Sequence, residues 1–473
     1  MTSAEEYKNQ GNECLKRGEY EKASLLYTEA IKQDDSNAVY FSNRAQAAIK
    51  MEQYGLAISD ADRALAIDAN YIKAYYRRAT AHVGVLDYKK ALEDYNEAAR
   101  HAPNDPAIKS KIVECKRVLR MQAFQRAIEI EDPPSIFETL DLEHIPDTEK
   151  TGLAPLDVET LTRDYVFNIV DLFKRGELIS RRKVFQIVKA AMALFRSEPT
   201  MVELPRPEPD HKVTVCGDTH GQFYDLLNIF NKNGWPSDKH TYVFNGDFVD
   251  RGSWSTEIAL TLYLFKILLP NNLFINRGNH ESDSMNITYG FAGECKAKYN
   301  TDNVFKSFSE SFSTLPLATL LADQYFIVHG GLFSRDDVTL DEIRGFDRFK
   351  HKQPADKGIM MEMLWADPQD QPGRQPSKRG IGLQFGPDVT KAFLDANNLK
   401  AIIRSHEVRD KGYSYEHDNR LITVFSAPNY CDSVGNLGAY INFDSSMDPD
   451  IQQFEAQPHP NVPAMAYASN LIR

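Results

Sequence analysis

Cysteine is scarce. The 473-residue chain has only Cys14, Cys115, Cys216, Cys295 and Cys431. Their number is odd, the spacing is wide and no CxxC pair occurs. That pattern argues against a disulfide framework and a thiolate zinc site. Positive charge is short as well: 55 Lys and Arg face 67 Asp and Glu, a formal charge of -12. Nucleic-acid binders carry a basic footprint, so no nucleic-acid partner is expected. Long apolar runs are missing too. The strongest, Ile258 to Pro270, is broken by Thr261 and Lys266 and is too short to span a bilayer. The polar, acidic start Met1-Thr2-Ser3-Ala4-Glu5-Glu6-Tyr7 does not read as a signal peptide. These absences lead us to expect a reduced intracellular compartment. The bulk composition, 42% hydrophobic and 26% charged, is ordinary for folded protein and carries no function. The length predicts two domains, or three.

The first hundred residues repeat themselves. Ala23, Ala57 and Ala91 are 34 residues apart, as are Ala30, Ala64 and Ala98. Tyr20, Tyr54 and Tyr88 keep the same step, and so do Tyr7, Phe41 and Tyr75. Gly11, Ala45 and Ala79 form a small-residue column. This predicts two helices per unit, small residues where helices touch, and aromatics filling the gaps. Each unit buries its face only on a neighbour, so units stack. A generic helical bundle would need no fixed register. The columns resemble the tetratricopeptide repeat, over roughly 4–105. A helical stretch from about Pro106 to Ile130 is expected to cap the last repeat. Glu131-Asp132-Pro133-Pro134 and a polar stretch with Pro146 and Pro155 read as a linker. The expected division is therefore a repeat domain with its cap over 1–130, a linker over 131–156 and a further domain over 157–473. Two amphipathic helices are predicted near Val158–Lys174 and Arg181–Arg196. From Val213 short apolar runs alternate with helical patterns, which predicts an α/β core.

Five of the apolar runs end in polar motifs. Val213–Cys216 leads into Gly217-Asp218-Thr219-His220-Gly221, and Tyr242–Asn245 into Gly246-Asp247-Phe248-Val249-Asp250-Arg251-Gly252. Leu273–Asn276 leads into Arg277-Gly278-Asn279-His280-Glu281, Tyr325–Val328 into His329-Gly330-Gly331, and Ala401–Arg404 into Ser405-His406-Glu407. Buried strands ending at one edge of a sheet would bring these loops together, where α/β folds place their ligands. Glycines permit the tight turns. The oxygen and imidazole donors suit manganese, iron or zinc better than a thiolate-loving metal. Taken singly, an Asp after a glycine is usually a turn former and a lone His a surface or core residue. The ordered set of five motifs is what reverses that reading. Cys216 and Cys431 are read as packing or loop residues, and His240, His351 and His459 as surface histidines.

In this order the motifs resemble the phosphoprotein phosphatase family of metallophosphoesterases, over roughly 200–460. The resemblance implies an all-α repeat domain followed by an α/β metallophosphoesterase domain, a central β-sandwich flanked by helices. It implies hydrolysis of phosphoserine and phosphothreonine by water activated on two divalent metal ions, manganese or iron and zinc. Asp218 and His220 would hold the first ion, Asp247 would bridge, and Asn279, His329 and His406 would hold the second. His280 would protonate the leaving oxygen, with Asp250 orienting it. Arg251 and Arg379, the latter in Ser377-Lys378-Arg379-Gly380, would clamp phosphate, with Tyr430 beside the substrate in Ala427-Pro428-Asn429-Tyr430-Cys431-Asp432. The chemistry asks for these types: an alkoxide leaving group needs a general acid, and arginine's planar fork matches two phosphate oxygens. Two other functions would account for part of the pattern. A two-metal phosphoesterase acting on nucleotides would not need the later SKRG and SAPNYCD elements. A non-enzymatic cochaperone would not need the full ligand set.

The repeats carry a second pattern. Lys8 and Asn12, Asn43, and Lys73 and Arg77 recur on the first helix of successive units, with the i, i+4 pairs on one face. Stacking would align them along one groove, a pocket for paired carboxylates. They resemble the clamp with which some tetratricopeptide domains grip the acidic tail of heat-shock protein 90, and heat-shock protein 70 is a further candidate. Resemblance to the family also implies a monomer of cytoplasm and nucleus, and autoinhibition by the repeat domain, relieved by chaperone tails or fatty acids. Glu52 is the candidate to reach Arg251.

Overall fold

The computed structural model describes residues 2–128, 134–147, 152–355 and 357–472. They form two compact units.

Most of the first unit is helical: α1 (Ala4–Lys16), α2 (Tyr20–Gln33), α3 (Ala38–Lys50), α4 (Tyr54–Ile67), α5 (Ile72–Gly84), α6 (Tyr88–His101) and α7 (Pro106–Ile128). The odd helices α1, α3 and α5 begin at 34-residue steps, as do α2, α4 and α6, so the sequence register is the structural register. Ala23, Ala30, Ala57, Ala64, Ala91 and Ala98 are all fully buried, because helices meet there. A Cβ on Gly11 would lie 2.7 Å from the Tyr27 ring, so the small residue admits the aromatic. Ser3 starts α1 with a capping box shared with Glu6. The turns inside the repeats each hold one left-handed residue, Gly18, Glu52 and Leu86, again 34 apart. A further periodic device had escaped the sequence reading. Arg44 grips Asp60 with two bonds of 2.8 and 2.7 Å, and Arg78 grips Asp94 with bonds of 2.8 and 2.6 Å, one repeat on.

Two later segments pack with these helices, 376–382 and the C-terminal residues from Ser469. Leu471 joins the cluster of Ala79, Val83, Tyr88, Cys115 and Val118, and the Lys111 ammonium donates to the Leu471 carbonyl at 2.8 Å. The 34-residue register stops before α7, so nothing in the pattern announced this last partner.

Residues 131–133 and 148–151 of the expected linker lie outside the described residues. Its described part belongs to the second unit. It contains the short α8 (Ile136–Thr139), and Phe137, Leu140, Leu142 and Ile145 pack on the second unit's helical core. The next helices are α9 (Arg163–Lys174) and α10 (Arg181–Ser197). The first begins later than the predicted Val158, because Thr162 takes the N-cap and accepts the Tyr165 N–H.

The strands described in this unit are β1 (Met201–Leu204), β2 (Lys212–Cys216), β3 (His240–Phe244), β4 (Leu273–Ile275), β5 (Ala318–Leu321), β6 (Tyr325–Val328), β7 (Asp367–Pro368), β8 (Arg374–Pro376), β9 (Leu383–Phe385), β10 (Ala401–Arg404), β11 (Tyr413–Glu416), β12 (Leu421–Val424), β13 (Gly438–Phe443) and β14 (Asp450–Phe454). They make a six-stranded sheet in the order β1-β5-β6-β10-β12-β11, a five-stranded sheet β14-β13-β2-β3-β4 and a small sheet β7-β9-β8. Strand alternation sorts the side chains. Val213, Val215, Val243 and Phe274 meet Ile327, Ile403, Ile422 and Val424 in a core between the two large sheets. Cys216, Tyr242, Phe244 and Ile275 turn to the other face, under α9, α10, α11 (Phe223–Asn233) and α12 (Ser255–Leu268). The apolar run from Ile258 is mostly α12, buried on all sides. No described helix is long and apolar enough to cross a membrane. The motif-bearing strands β2, β3 and β4 run parallel in one sheet, and β6 and β10 run parallel in the other. The five loops thus meet at the C-terminal edges of two facing sheets, not at one edge of a single sheet. Periodicity identifies a strand but not its partners.

Candidate active site

Two polar residues pin the facing edges together. Asn245, at the end of β3, donates to the Val328 carbonyl of the other sheet and to Ser405 Oγ, both at 2.9 Å. Asn276, at the end of β4, donates to Asn245 Oδ1 at 2.9 Å. Neither was picked out from the sequence. The signal was an asparagine closing an apolar strand run twice, where a buried amide must find partners.

The loops beyond bring most of the predicted residues together, all buried. Asp247 belongs to two donor groups, one with His220 and His280 and one with His329 and His406. Its Oδ2 lies 3.6 Å from His220 Nε2 and 3.3 Å from His329 Nε2. Asp218 Oδ2 is 3.6 Å from His220 Nε2, while its Oδ1 accepts the His406 N–H at 3.1 Å. Asn279 Oδ1 is 2.9 Å from His329 Nε2. Two of these imidazoles are oriented from behind: His220 Nδ1 bonds the Val249 carbonyl at 3.0 Å and His329 Nδ1 the Asn245 carbonyl at 2.8 Å. With Nδ1–H so used, each Nε2 presents a lone pair to carboxylate oxygens, an arrangement that needs a cation at the centre. Protons answer the same demand. Burial disfavours a charged His329, but Asp247 and Asp218 outweigh it and push the group up to about 9. His220 shifts upward for the same reason, and burial of Asp247 is outweighed by His329, His280 and His220, which hold its carboxyl low. Divalent ions fit this oxygen and imidazole set.

Beside the cluster, His280 Nδ1 meets Asp250 Oδ2 at 2.8 Å. Asp250 also accepts Asn286 Nδ2 at 2.9 Å and the Phe291 N–H at 2.8 Å, so the carboxylate cannot swing away. The His280 and His220 rings lie 4.7 Å apart, edge on. Arg251 stacks 3.9 Å above the Tyr289 ring, which fixes its guanidinium plane. Tyr430 sits 5.3 Å from the His220 ring. Arg379 lies elsewhere in the division: its turn, with the Arg379 N–H on Ser377 Oγ at 3.0 Å, is in the segment that packs with the first unit.

A carboxylate missed by the sequence reading supports the centre. Glu281, fully buried, accepts the N–H groups of Asp247 at 2.8 Å, Gly278 at 2.7 Å and Phe248 at 3.1 Å. Its place as the last residue of Arg277–Glu281 was the available signal. Gly278 is required here, since a Cβ would come within 2.2 Å of Asp247 Oδ1. His240, expected at the surface, is buried against Thr214 Oγ1 at 2.7 Å, because β3 is an inner strand. Burial drives it down to about 3.

In the first unit three of the five clamp candidates are linked by hydrogen bonds. Arg77 donates to Asn43 Oδ1 at 3.2 Å and Asn43 Nδ2 to Asn12 Oδ1 at 3.1 Å, a line across α5, α3 and α1. Lys73 stands one turn before Arg77 and is exposed. Lys8 stands one turn before Asn12 and pairs with Glu5. Glu52 occupies the left-handed turn between α3 and α4.

Comparison with known proteins gives consistent matches. Residues 211–410 match the calcineurin-like phosphoesterase family and residues 112–203 the PPP5 TPR repeat region. Serine/threonine-protein phosphatase T of Aspergillus oryzae is 54% identical, over 100% of this chain and 98% of that protein. Serine/threonine-protein phosphatase 5 of Homo sapiens is 47% identical, over 100% of this chain and 94% of that one. A solved Saccharomyces cerevisiae serine/threonine phosphatase, described as similar to human phosphatase PP5, is 50% identical with a TM-score of 0.62, covering 65% of this chain and 100% of its own.

Proposed function

The chain belongs to the serine/threonine-protein phosphatase 5 and T family, a metal-dependent protein phosphatase with tetratricopeptide repeats, and from that premise we propose how its residues work. Asp218, His220 and Asp247 would hold one divalent ion, and Asp247 with Asn279, His329 and His406 a second. Bound there, such ions activate a water and neutralise charge on the transferring phosphoryl group. Manganese, or iron with zinc, suits the donors. Arg251 and Arg379 receive the phosphate oxygens, and Tyr430 lines the substrate side. His280 gives its Nε2 proton to the departing serine or threonine oxygen, and Asp250 keeps the ring charged and aimed. The observation that carries the reading is the sharing of Asp247 between two donor groups beside the His280–Asp250 pair.

The repeat groove, in this reading, takes the acidic C-terminal tail of heat-shock protein 90, and of heat-shock protein 70 as a second candidate. The Arg77–Asn43–Asn12 line supports it, because these bonds order one polar side chain from each of three successive repeats along a single line, with the Arg77 guanidinium at its end. The protein acts as a monomer in cytoplasm and nucleus. The repeats hold its activity down, with Glu52 as the contact toward Arg251, until an acidic tail or a fatty acid releases it. Metal-dependent phosphate release from a phosphoserine peptide, with and without an acidic tail peptide, tests chemistry and coupling together. Preference for a dinucleoside polyphosphate, or full activity in His280→Asn, would contradict the assignment. Unchanged basal turnover in Glu52→Ala would sink the autoinhibitory contact.

A further inference from the structure

The loop carrying Tyr430 is strained. Asn429, Cys431 and Asp432 have φ of 43°, 52° and 56°, and none is glycine. Such a backbone persists only where its surroundings over-determine it. Part of the hold is local: Asn436 Oδ1 accepts the Tyr430 N–H at 2.9 Å and Asn436 Nδ2 donates to the Ala427 carbonyl at 2.9 Å. The rest comes from the C-terminal arm over 457–465. His459 Nε2 meets Asp432 Oδ1 at 3.0 Å, and His459 Nδ1 meets the Pro460 carbonyl at 2.9 Å. Both ring nitrogens face acceptors, which is the pattern of an imidazolium. A second tie runs through α11. The Gln457 N–H bonds Asp225 Oδ1 at 2.7 Å, and Gln222 Nε2 bonds both Asp225 Oδ2 and the Pro428 carbonyl at 2.8 Å.

The same arm also grips the loop of Arg251. The Met465 N–H donates to the Arg251 carbonyl at 2.6 Å, Ser253 Oγ donates to the Pro463 carbonyl at 2.8 Å, and Trp254 lies edge-on to His459 at 5.0 Å. Pro458, Pro460 and Pro463 restrict the arm's backbone, so it holds its shape without secondary structure.

We infer that the arm is a positioning strap: His459, through Asp432, together with the Gln457–Asp225–Gln222 relay, sets the Tyr430 loop against the Arg251 loop so that both meet a phosphoprotein substrate in register. The inference rests on reading Arg251 and Tyr430 as substrate-facing. A half-exposed ion pair adds little to stability, so the pair's value lies in geometry.

The test uses the full-length, manganese-loaded protein and a phosphoserine peptide. His459→Ala is expected to raise KM about three- to fivefold with kcat and thermal midpoint held. His459→Gln, whose amide nitrogen takes the place of Nε2, should recover most of the loss. His459→Ala combined with Asp432→Ala should be no worse than either alone, the mark of one shared interaction. An unchanged KM, a loss that only tracks thermal destabilisation, or full additivity of the two substitutions would overturn the strap. An inactive wild-type protein would instead overturn the phosphatase reading beneath it.

Discussion

Glu281→Gln isolates the support of the proposed metal centre from its proposed ligands. Glu281 contacts no substrate in the proposed mechanism, yet its carboxylate is fully buried and takes three backbone N–H groups, at 2.7, 2.8 and 3.1 Å. Two of them, from Asp247 and Gly278, share Oε2, and the third, from Phe248, uses Oε1. Glutamine can place its carbonyl oxygen on the shared pair. Its NH2 then faces the Phe248 N–H, donor against donor. One buried N–H without an acceptor costs about 1–3 kcal/mol. Burial and the neighbouring Asp247 push Glu281 up to about 8 in the metal-free protein, so the loss should appear as about 2 kcal/mol in urea unfolding above that pH, where the carboxylate is ionised. It also loosens Asp247, the carboxylate shared by both donor groups. Weakening such outer support lowers metal affinity about 10–100-fold. Activity titrated with manganese should therefore shift its midpoint upward by that factor and approach the wild-type kcat at saturation. A wild-type midpoint with depressed kcat would refute the reasoning, since Glu281 would then act on the reaction and not on the ions.

Asp250→Asn should lower kcat about 10²-fold with KM little changed, because asparagine keeps the contact to His280 but not the charge that stabilises its imidazolium; steady-state kinetics on the phosphoserine peptide reads this. His240 gives a pH prediction. Its folded value of about 3 lies below the ordinary histidine value, so on acidification the unfolded chain takes the proton first. Its contribution is complete above about pH 6.5 and is lost as pH falls toward 3, amounting to about 2 kcal/mol by pH 5. Urea unfolding at pH 7 and 5 should show that loss in wild type and most of it abolished in His240→Gln. Arg77→Ala should weaken an acidic chaperone-tail peptide about tenfold by calorimetry and flatten the salt dependence of binding.

The repeats were legible because their packing is local. Alanine columns, aromatic columns and helix starts all follow one 34-residue register, and each repeat touches only its neighbours. The loops that carry the clustered Asp and His residues were legible because glycine, aspartate and histidine recur at strand ends. What escaped depends on contacts between distant segments. Nothing near position 245 says that its amide will reach the carbonyl of Val328 in another sheet. Nothing near 240 says that β3 will be an inner strand. The hydrophobic residues Phe137, Leu140 and Leu142 were hidden in a polar, proline-bearing stretch, and it takes the exposed side of the helical core to explain them. Arg44 with Asp60 could have been found, since its copy Arg78 with Asp94 stands one repeat later. Charge pairs sixteen residues apart are simply not what helical periodicity looks for.

The backbone explains why the site needs so large a scaffold. His220, Asp247, Asp250, Arg251 and His406 all have φ between 38° and 71°, a region that favours glycine, tolerates aspartate and strains histidine and arginine. Each position is occupied by a side chain the proposed chemistry uses, so glycine is excluded. At about 1–2 kcal/mol for each of His220, Arg251 and His406, and less for the two aspartates, these conformations together cost several kcal/mol, a large share of a domain's net stability. That cost must be offset by burial elsewhere. The core between the sheets and the helical core beneath them, joined by the Asn245 and Asn276 amides, hold the strand ends rigid. Neighbouring Gly221 and Gly246, at φ of 65° and 87°, absorb the rest of each turn without strain. The strained residues thus sit at the catalytic edge of two well-packed sheets, and the same argument extends to Cys431 and Asp432. Their loop joins β12 to β13, and there Asn436 and the C-terminal arm, through His459 and Asp432, supply the restraint.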